Sequence, residues 1–374
     1  MSSKPRFVGE RVKLGDVLQV VNGKNQKAVK DENGQYPIYG SGGQMGWASS
    51  CICPADTVII GRKGNINKPI YVSEPFWNVD TAFGLVAKPE LLDARYLYHF
   101  CKHYDFGKLN TTCTIPSLTR KNIEGILLRL PSLGGQKETA AQLDSILKQI
   151  ALAQQEIAGL DSLVKSRFVE MFGDPVDGVL WAKQKLSDLY QVKSSKRIYA
   201  REQTKSGVPF LRLADVGSLI DSGMADSGLF ISEERFEELK VRGHVPAPDD
   251  VLVTARGTLG RCYVIKPADH FYFQDGMITW LAASENSPLP SYLLAIFDNP
   301  HFIEQLSNNC SGTTVRYLSI SDLANVTIPV APLALQEEFA SFASQVDKSR
   351  FIAQQQIEKL QMLYDSLAQD YFGD

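Results

Sequence analysis

The sequence predicts an α+β fold: two strand-rich α/β domains joined by two long antiparallel coiled-coil helices, with an internal pseudo-two-fold. The first observation is a repeat, because residues 136–174 match residues 336–374 at a constant offset of 200 positions without a gap. Strand-like segments recur in the same order upstream of both copies, and both copies carry a heptad pattern. A unit used twice explains all three. The boundaries we expect are 1–135, 136–175, 176–331 and 332–374.

The repeat is strongest in the helix-like segments and weaker upstream of them. Gln136 pairs with Gln336, and both copies end in Phe-Gly-Asp. Around Asp56 and Asp249 the offset falls to 193, so the length changes lie where loops are expected. Surface loops tolerate insertions well. Chance similarity between two Gln/Leu-rich helices is disfavoured because segments outside the helices repeat as well.

Short apolar or β-branched runs separated by Gly, Asn and Pro predict the strands of each domain. In the first domain these runs cover residues 17–21, 36–39, 57–60, 70–72 and 83–86. In the second domain they cover residues 208–213, 251–254, 263–265 and 277–281. One further helix is expected in each domain, over residues 93–104 and 291–305.

Both long helices carry apolar residues at alternating spacings of four and three, which is typical of a coiled-coil seam. The seam residues are Ile146, Ile150, Ile157, Leu160 and Val164 in the first helix, and Val346, Ile357, Leu360, Tyr364 and Leu367 in the second. One arginine interrupts each seam. Packing of the two seams within one chain requires antiparallel helices and favours a pseudo-two-fold that matches the dyad of duplex DNA. Homodimerisation through the same seams is the alternative.

Composition places the 374-residue chain among globular proteins, with 44% hydrophobic and 22% charged residues. The polar start and the lack of any run of 18 apolar residues predict neither a signal peptide nor a membrane span. Six unevenly spaced cysteines do not form a repeated disulfide framework, so we expect a cytoplasmic protein.

The distribution of charge is more informative than the net charge of −3. The first domain carries 17 Lys and Arg against 11 Asp and Glu, whereas both helical segments are acidic. The start of the second domain is also rich in cations: Lys183, Lys185, Lys193, Lys196, Arg197, Arg201, Lys205 and Arg212. A polarised surface is therefore compatible with a nucleic-acid partner despite the acidic total.

Motifs for catalysis or cofactor binding are missing from the sequence. There is no P-loop, Gly-rich dinucleotide fingerprint, His-Glu-x-x-His or Cys-x-x-Cys motif. Cys51 with Cys53, and His99, Cys101 and His103, resemble metal clusters, but neither set recurs in the second half. The second set also lies in the expected helix 93–104, where packing explains it better. We therefore expect no catalytic residues, no metal and no cofactor in this chain.

Two features that recur in both domains predict DNA contacts. One is a turn with a cation beside glycine after a β-branched strand, and the other is a polar, Thr-rich segment before an apolar residue. Cations, hydroxyls and amides on loops suit phosphate and base-edge contacts, although the glycines alone explain tight turns with solvated cations equally well. The candidates are Arg62, Lys63, Asn65, Thr112, Thr114, Ser117, Lys196, Arg197, Arg256, Thr258, Thr314, Arg316 and Tyr317.

From about residue 10 to residue 374, the chain resembles the specificity subunit of a type I restriction-modification system. The resemblance rests on Tyr-Pro-Ile-Tyr-Gly-Ser-Gly-Gly at 36–43, Val-Pro-Phe-Leu-Arg-Leu-Ala-Asp-Val at 208–216, the two cation-glycine turns, the Leu-rich approaches to Pro131 and Pro329, and the paired helices. The order of parts is also that of the family, in which a target recognition domain and a helical spacer occur twice. A departure at the helix starts, Gln-Lys-Glu and Gln-Glu-Glu instead of Glu-Gln, affects local capping only.

The resemblance implies a non-catalytic subunit whose two domains each read half of an asymmetric, bipartite DNA target, with the helices setting the spacer. It further implies two modification (methyltransferase) subunits carrying S-adenosylmethionine, and restriction subunits with ATP- and Mg-dependent translocase and nuclease activity. A stand-alone DNA-binding or architectural protein without enzyme partners is the alternative. A self-contained nuclease or methyltransferase is disfavoured by the missing motifs.

Overall fold

The computed structural model describes residues 9–109, 117–308 and 317–373. The chain forms two compact units, and neither is a continuous stretch of sequence. The first unit comprises Met1–Gln155 with Ala353–Asp374, and the second comprises Glu156–Ile352. Each unit therefore contains one globular domain together with part of each long helix. Within the described ranges, no helix has the length and apolar character needed to cross a membrane.

The elements that begin in the first unit follow the expected order of strands, one amphipathic helix and one long helix. They are β1 (Glu10–Lys13), α1 (Leu14–Val17), β2 (Leu18–Asn22), β3 (Tyr36–Gly40), β4 (Gly43–Ala48), β5 (Thr57–Gly61), β6 (Ile70–Val72), β7 (Trp77–Asn78), β8 (Ala82–Ala87), α2 (Ala94–His103), α3 (Arg120–Glu124), β9 (Leu127–Leu130) and α4 (Leu133–Phe172).

The main sheet of the first unit is antiparallel, with the strand order β2-β8-β5-β6. Strand β5 lies inside it, and all five of its residues are buried, as expected for the β-branched run Thr-Val-Ile-Ile. A smaller sheet has the order β4-β3-β7, in which β3 and β7 are parallel, and β1 pairs with β9. The loop that follows β5 is therefore anchored by a rigid, buried strand.

The second unit repeats this plan with insertions. Its elements are β10 (Lys183–Lys185), α5 (Leu186–Leu189), β11 (Tyr190–Lys193), β12 (Gln203–Thr204), β13 (Val208–Leu211), α6 (Leu213–Ser222), β14 (Phe230–Ile231), α7 (Glu233–Val241), β15 (Val251–Thr254), β16 (Cys262–Val264), β17 (Tyr272–Phe273), β18 (Ile278–Ala283), α8 (Pro290–Phe297), α9 (Pro300–Asn308), α10 (Ile320–Asn325), β19 (Thr327–Pro329) and α11 (Leu333–Phe372).

The main sheet and the two-stranded sheet of the second unit correspond to those of the first, whereas the smaller sheet has an additional edge strand, β12. The main sheet has the order β11-β18-β15-β16, β10 pairs with β19, and a smaller sheet has the order β12-β14-β13-β17. Strand β15 is the equivalent of β5, and its four residues Val-Leu-Val-Thr are all buried. In each unit, parts of both long helices and the helix that follows the main sheet (α2 or α8) pack on the hydrophobic core of that unit.

The two long helices run antiparallel to each other within each unit. In the second unit, Arg167 of α4 bonds Glu338 of α11 at 2.9 Å, and Asp161 of α4 bonds Arg350 of α11. Along α4 from residue 161 to residue 167, the bonded partner in α11 therefore moves back from residue 350 to residue 338. In the first unit, the Tyr371 hydroxyl donates to Gln142 at 2.7 Å. The antiparallel pairing predicted from the heptads is confirmed.

The seam residues proposed from sequence lie on the inner sides of the helices. In the first unit, Ile146, Ile150 and Tyr364 are buried, and Ile357, Leu360 and Leu367 pack half-buried against the same core. In the second unit, Val346 is buried and Val164 packs half-buried. The remaining positions, Ile157 and Leu160 of α4 and the two interrupting arginines, are half-buried.

The expected helix over residues 291–305 is wrong in one respect, because the structure has two helices there. Helix α8 ends at Phe297, and α9 begins at Pro300. Proline has no backbone N–H and disfavours helical backbone at the preceding residue. Asn299 instead caps α9, since its side-chain oxygen accepts from the His301 and Phe302 backbone N–H groups.

Several strand boundaries also differ from expectation, two of them because a helix occupies one end of the run. The strand predicted over residues 208–213 ends at Leu211, because Leu213 begins α6. The Asp215 side chain caps the start of that helix by accepting a hydrogen bond from the Arg212 backbone N–H at 2.8 Å. Similarly, Val17 ends the short helix α1, and β2 begins at Leu18. The polar strand β4 was not expected at all.

Candidate nucleic-acid interface

The cation-glycine turns occupy equivalent places in the two units. In the first unit the turn follows β5 at Arg62, and in the second it follows β15 at Ala255. Gly64 and Gly257 have φ angles of 75° and 67°, a left-handed conformation that residues other than glycine rarely adopt. The Arg62 N–H donates to Thr81, and the Ala255 N–H donates to Met277, at 2.8 and 2.9 Å.

Each turn is bound to the described end of the Thr-rich segment of its own unit. The Leu118 N–H donates to the Arg62 carbonyl, and the Leu318 N–H donates to the Ala255 carbonyl, both at 3.0 Å. An isolated β-bridge also joins Lys63 to Ser117. The fold thus brings together two features that lie over 50 residues apart in sequence. Four candidates, Thr112, Thr114, Thr314 and Arg316, lie outside the described residues.

In the first unit, the candidate surface is an exposed turn. Arg62, Lys63 and Asn65 are all exposed, and the Arg62 guanidinium carbon lies 5.8 Å from the centre of the Phe83 ring. A Cβ on Gly61 would lie 3.2 Å from the Cβ of Ser41, so the loop between β3 and β4 adjoins this turn. The surface therefore presents cations and an amide on backbone that is fixed by hydrogen bonds.

In the second unit, the equivalent surface is a cleft of about 550 Å³, here called the arginine cleft. It contains three of the predicted candidates: Arg197, Arg256 and Tyr317. The other residues that line it are Ile198, Gln203, Phe210, Arg212, Gln274, Asp275, Gly276 and Met277. The structure therefore gathers residues from five separate segments of the domain into one site.

Two of the three arginines in this cleft are paired with carboxylates. Arg197 Nε lies 2.8 Å from Asp275, which raises the pKa of Arg197 above its ordinary value. Arg212 Nε lies 3.6 Å from Asp215. The Arg256 guanidinium carbon instead lies 4.8 Å from the centre of the Tyr317 ring. Within the described part of the chain, Arg256 Nε is buried without a hydrogen-bond acceptor.

The two remaining candidates of the second unit lie beside this cleft. Lys196 is exposed, and its backbone exchanges hydrogen bonds with the Tyr272 hydroxyl. Thr258 is exposed in a smaller pocket of about 290 Å³, which Arg256 and Arg261 also line. The Thr258 carbonyl accepts from the Thr254 hydroxyl at 2.6 Å, which holds the turn closed.

Sequence reasoning did not select Arg212, Gln203 or Gln274 as individual site residues. Arg212 was noted only as part of a basic cluster, and the two glutamines have no equivalent in the repeat. They lie around β12, β13 and β17; the parallel pair β13/β17 corresponds to β3/β7 of the first unit, and β12 is an additional edge strand. The parallel pairing of β13 with β17 could have identified them, because it brings residues 210–211 beside 272–273.

The metal-like clusters of the sequence have structural roles. His99 is fully buried, with Nδ1 2.9 Å from the Tyr364 hydroxyl and Nε2 3.1 Å from Asp144. Burial raises the pKa of the Cys53 thiol to about 12, which keeps it protonated. Sequence reasoning missed a different group of potential ligands, Asp174 with Asp177 and His301. The Asp174 carboxylate there caps a turn by accepting from the Val176 and Asp177 N–H groups.

Comparison with known proteins agrees with this architecture of two similar units. The model of the type I restriction modification DNA specificity domain matches residues 9–162 and again residues 178–362. The chain therefore belongs to the family of type I restriction-modification specificity subunits, and it carries two DNA specificity domains.

Relatives of similar length support this assignment. A protein of Haemophilus influenzae named as a type I restriction enzyme specificity subunit is 25% identical over 342 residues, which cover 88% of this chain and 85% of the relative. The MjaVIII specificity subunit of Methanocaldococcus jannaschii is 23% identical, with 94% and 89% covered.

Solved structures share the fold. The S subunit of a type I restriction-modification system from M. genitalium superposes with a TM-score of 0.60 at 14% identity, with coverage of 100% of this chain and 98% of that one. A chain from a structure of the type I R-M system gives a TM-score of 0.56 at 17% identity, with 99% of each chain covered.

Proposed function

We propose that this chain reads a bipartite, asymmetric DNA target for a type I restriction-modification complex. The domain within residues 1–135 reads one half-site, the domain within 176–331 reads the other, and the helical segments 136–175 and 332–374 set the spacer between them. The observation that carries this proposal is the repeated pairing of a cation-glycine turn with the end of a Thr-rich segment. The backbone is the same in both units and the side chains differ, as two different half-sites require.

The turns suit DNA because they combine a fixed backbone with free cationic ends. Hydrogen bonds at 2.8 to 3.0 Å hold both sides of each turn. Lysine and arginine at such positions neutralise phosphates and release counterions, which gives affinity without sequence preference. Specificity comes from side chains in and beside the turns that reach base edges.

The long helices offer matching surfaces for two copies of a partner. Leu152 and Ile352 are equivalent in the repeat and are 54% and 64% exposed, while Leu163 and Leu363 are equivalent and are 48% and 47% exposed. Eleven residues are about three helical turns, so both positions lie on the same side of their helix. Exposed apolar groups on a shared side mark interaction surfaces. We assign them to two modification subunits; restriction subunits join the same complex.

In this proposal the chain binds the DNA target and positions the complex on it, and the partner subunits catalyse the reactions. S-adenosylmethionine binds the modification subunits, while ATP and Mg bind the restriction subunits. The chain itself holds no metal and performs no catalytic step.

Selection from random duplex DNA tests the proposal. The full chain, co-expressed with modification subunits from the same genome, is used to enrich bound sequences, and their methylation is measured with S-adenosylmethionine. We expect two different half-sites separated by a spacer of fixed length and free sequence. A single uninterrupted motif, or enrichment without sequence preference, would contradict the proposal. Failure to co-purify with modification subunits would favour a stand-alone DNA-binding protein.

A further inference from the structure

We propose that Arg256 in the arginine cleft reads a guanine in the half-site of the second domain, while Arg197 and Arg212 contact the flanking phosphates. This inference rests on the proposed function and names the chemistry of one of its two reading surfaces. Two features of Arg256 support it: the backbone on either side is fixed, and the guanidinium lies over the Tyr317 ring.

The backbone on either side of Arg256 is fixed. Ala255 donates through its N–H to Met277 at 2.9 Å and accepts through its carbonyl from Leu318 at 3.0 Å. Gly257 then turns the chain through a left-handed conformation. Because Ala255 follows the fully buried strand β15, the Cα of Arg256 has little freedom to move. A side chain that reads bases needs such a rigid support.

The Arg256 guanidinium is also fixed, by a ring and not by a carboxylate. Its central carbon lies 4.8 Å from the centre of the Tyr317 ring, within the range of a cation–π contact. Its Nε is buried and, among the described residues, has no acceptor. A buried charged donor without a partner is unfavourable in the free protein. Because Nε itself is closed to solvent, a ligand in the cleft meets the two terminal Nη atoms of the guanidinium, which the Tyr317 ring orients.

Guanine fits this donor better than a phosphate does. It presents O6 and N7 side by side in the major groove, and the planar guanidinium fork bonds both at once. A phosphate needs only a cation at the surface, and Arg197 and Arg212 provide that at 65% and 54% side-chain exposure. The carboxylate partners of these two arginines also moderate their charge, whereas the ion pairs among the described residues do not include Arg256.

The first unit has a different residue pair at the equivalent position. Lys63 corresponds to Arg256, and Ser117 corresponds to Tyr317. Lysine is a point charge without a planar fork, and serine has no ring to orient it. We therefore infer that Lys63 contacts phosphate and reads no base. This pair of residues gives a matched control within one protein.

The experiment compares the binding motifs of variants in complex with modification subunits, using selection from random duplex DNA. The wild-type motif should contain a guanine in one half-site that Arg256→Ala and Arg256→Lys both relax, with discrimination at that position reduced about tenfold or more. Lys63→Ala and Arg197→Ala should lower affinity for all sequences and leave the motif unchanged.

The outcomes separate this inference from the function on which it rests. Retention of the other half-site by Arg256→Ala shows that the variant is folded and assembled. An unchanged motif in both Arg256 variants, or relaxation in both half-sites, overturns the guanine assignment alone. A wild-type complex that selects no bipartite motif overturns the proposed function and this inference with it.

Discussion

Gln136 and Gln336 occupy the same position in the two repeats, and each ties the start of a long helix to its own domain. Gln136 is buried; its oxygen accepts from the Asp93 N–H, and its amide donates to the Leu91 and Pro131 carbonyls, at 2.8 to 3.0 Å. Gln336 makes equivalent bonds to Leu289 and Ala331. A buried amide that satisfies its partners this way explains why the residue is repeated without change.

Replacing Gln136 with Leu should destabilise the protein by about 2–4 kcal/mol, because the buried amide loses three part-buried hydrogen bonds to the backbone. Urea denaturation measures this free energy of unfolding. Gln149, which is exposed on the same helix, is the matched control. Its replacement with Leu should cost less than about 0.5 kcal/mol. Equal effects of the two substitutions would contradict the role assigned to Gln136.

The buried His99 makes the stability of the first unit depend on pH. Burial lowers the pKa of His99 below its ordinary value of 6.5; Arg95 and Lys102 act in the same direction, and Asp144 opposes them. The folded protein therefore keeps His99 neutral, beside the Tyr364 hydroxyl, at a pH where the unfolded chain already binds a proton. Stability due to this difference is present above pH 6.5 and is lost as the pH falls through the lower, folded pKa.

We expect the free energy of unfolding to fall between pH 7.5 and pH 5, and His99→Gln to reduce that slope. The comparison is made by urea denaturation at several pH values. His270 is 54% exposed, so His270→Gln serves as the control and should leave the slope unchanged. A slope that persists in full in His99→Gln would assign the pH dependence to other groups.

Arg62 and Lys63 should contribute to DNA binding through phosphate neutralisation. Their joint replacement with Ala should weaken binding of cognate and random duplex alike, and the log–log salt dependence should flatten by about 0.9 for each phosphate contact removed. Fluorescence anisotropy over a range of salt concentrations measures both effects. Lys148 and Lys359 are exposed on the helices, so their joint replacement is the control for lost charge. An unchanged slope would mean that Arg62 and Lys63 only shape the turn.

At the scale of secondary structure, most elements follow from local patterns in the sequence. Strands β5 and β15 are buried β-branched runs, and the long helices carry a regular heptad, so periodicity identifies them. Strand β4 has the sequence Gly-Gln-Met-Gly-Trp-Ala, which lacks such a pattern. It is a strand because five of its residues pair with β3, a contact that local sequence does not encode.

The candidate site was less predictable than the fold because its residues come from separate segments. The repeat identified the turns at Arg62 and Arg256, since both follow an equivalent strand. It could not show that Arg212 and Gln274 share a cleft with Arg256, because they meet only when β13 and β17 pair. Long-range strand pairing decides such contacts, and a single sequence carries little information about it.

The helices should bind modification subunits through their repeated exposed apolar positions. Joint replacement of Leu152 and Ile352 with Glu should abolish or strongly weaken assembly, because each places a charge in an apolar contact. Size-exclusion chromatography with light scattering measures assembly. Gln154 and Gln354 are exposed about 200° further round each helix, and Glu at both is the matched control. Full assembly of the Leu152/Ile352 variant, with unfolding unchanged, would remove these positions from the interface.

At the scale of the whole chain, the two long helices link the two units in both directions. Helix α4 passes from the first unit into the second near residue 155, and α11 passes from the second into the first near residue 353. Each domain is therefore completed by part of the helix that follows the other domain. Forty residues at about 1.5 Å each make each helix roughly 60 Å long. In the proposed function, this pair of helices sets the separation of the two half-sites.

We propose that the two domains read two half-sites at a separation set by these helices. Methylome sequencing of cells that express the complex tests it, with the wild-type chain and with a chain lacking one heptad from each helix, residues 153–159 and 353–359. This deletion keeps the seams in register and shortens each helix by about 10 Å, or about three base pairs.

The wild type should methylate a bipartite motif. The shortened chain should keep both half-sites, although more weakly because about 100° of groove phase is lost, and its spacer should be about three base pairs shorter. A continuous motif, or an unchanged spacer in a shortened chain that still assembles, would contradict the claim.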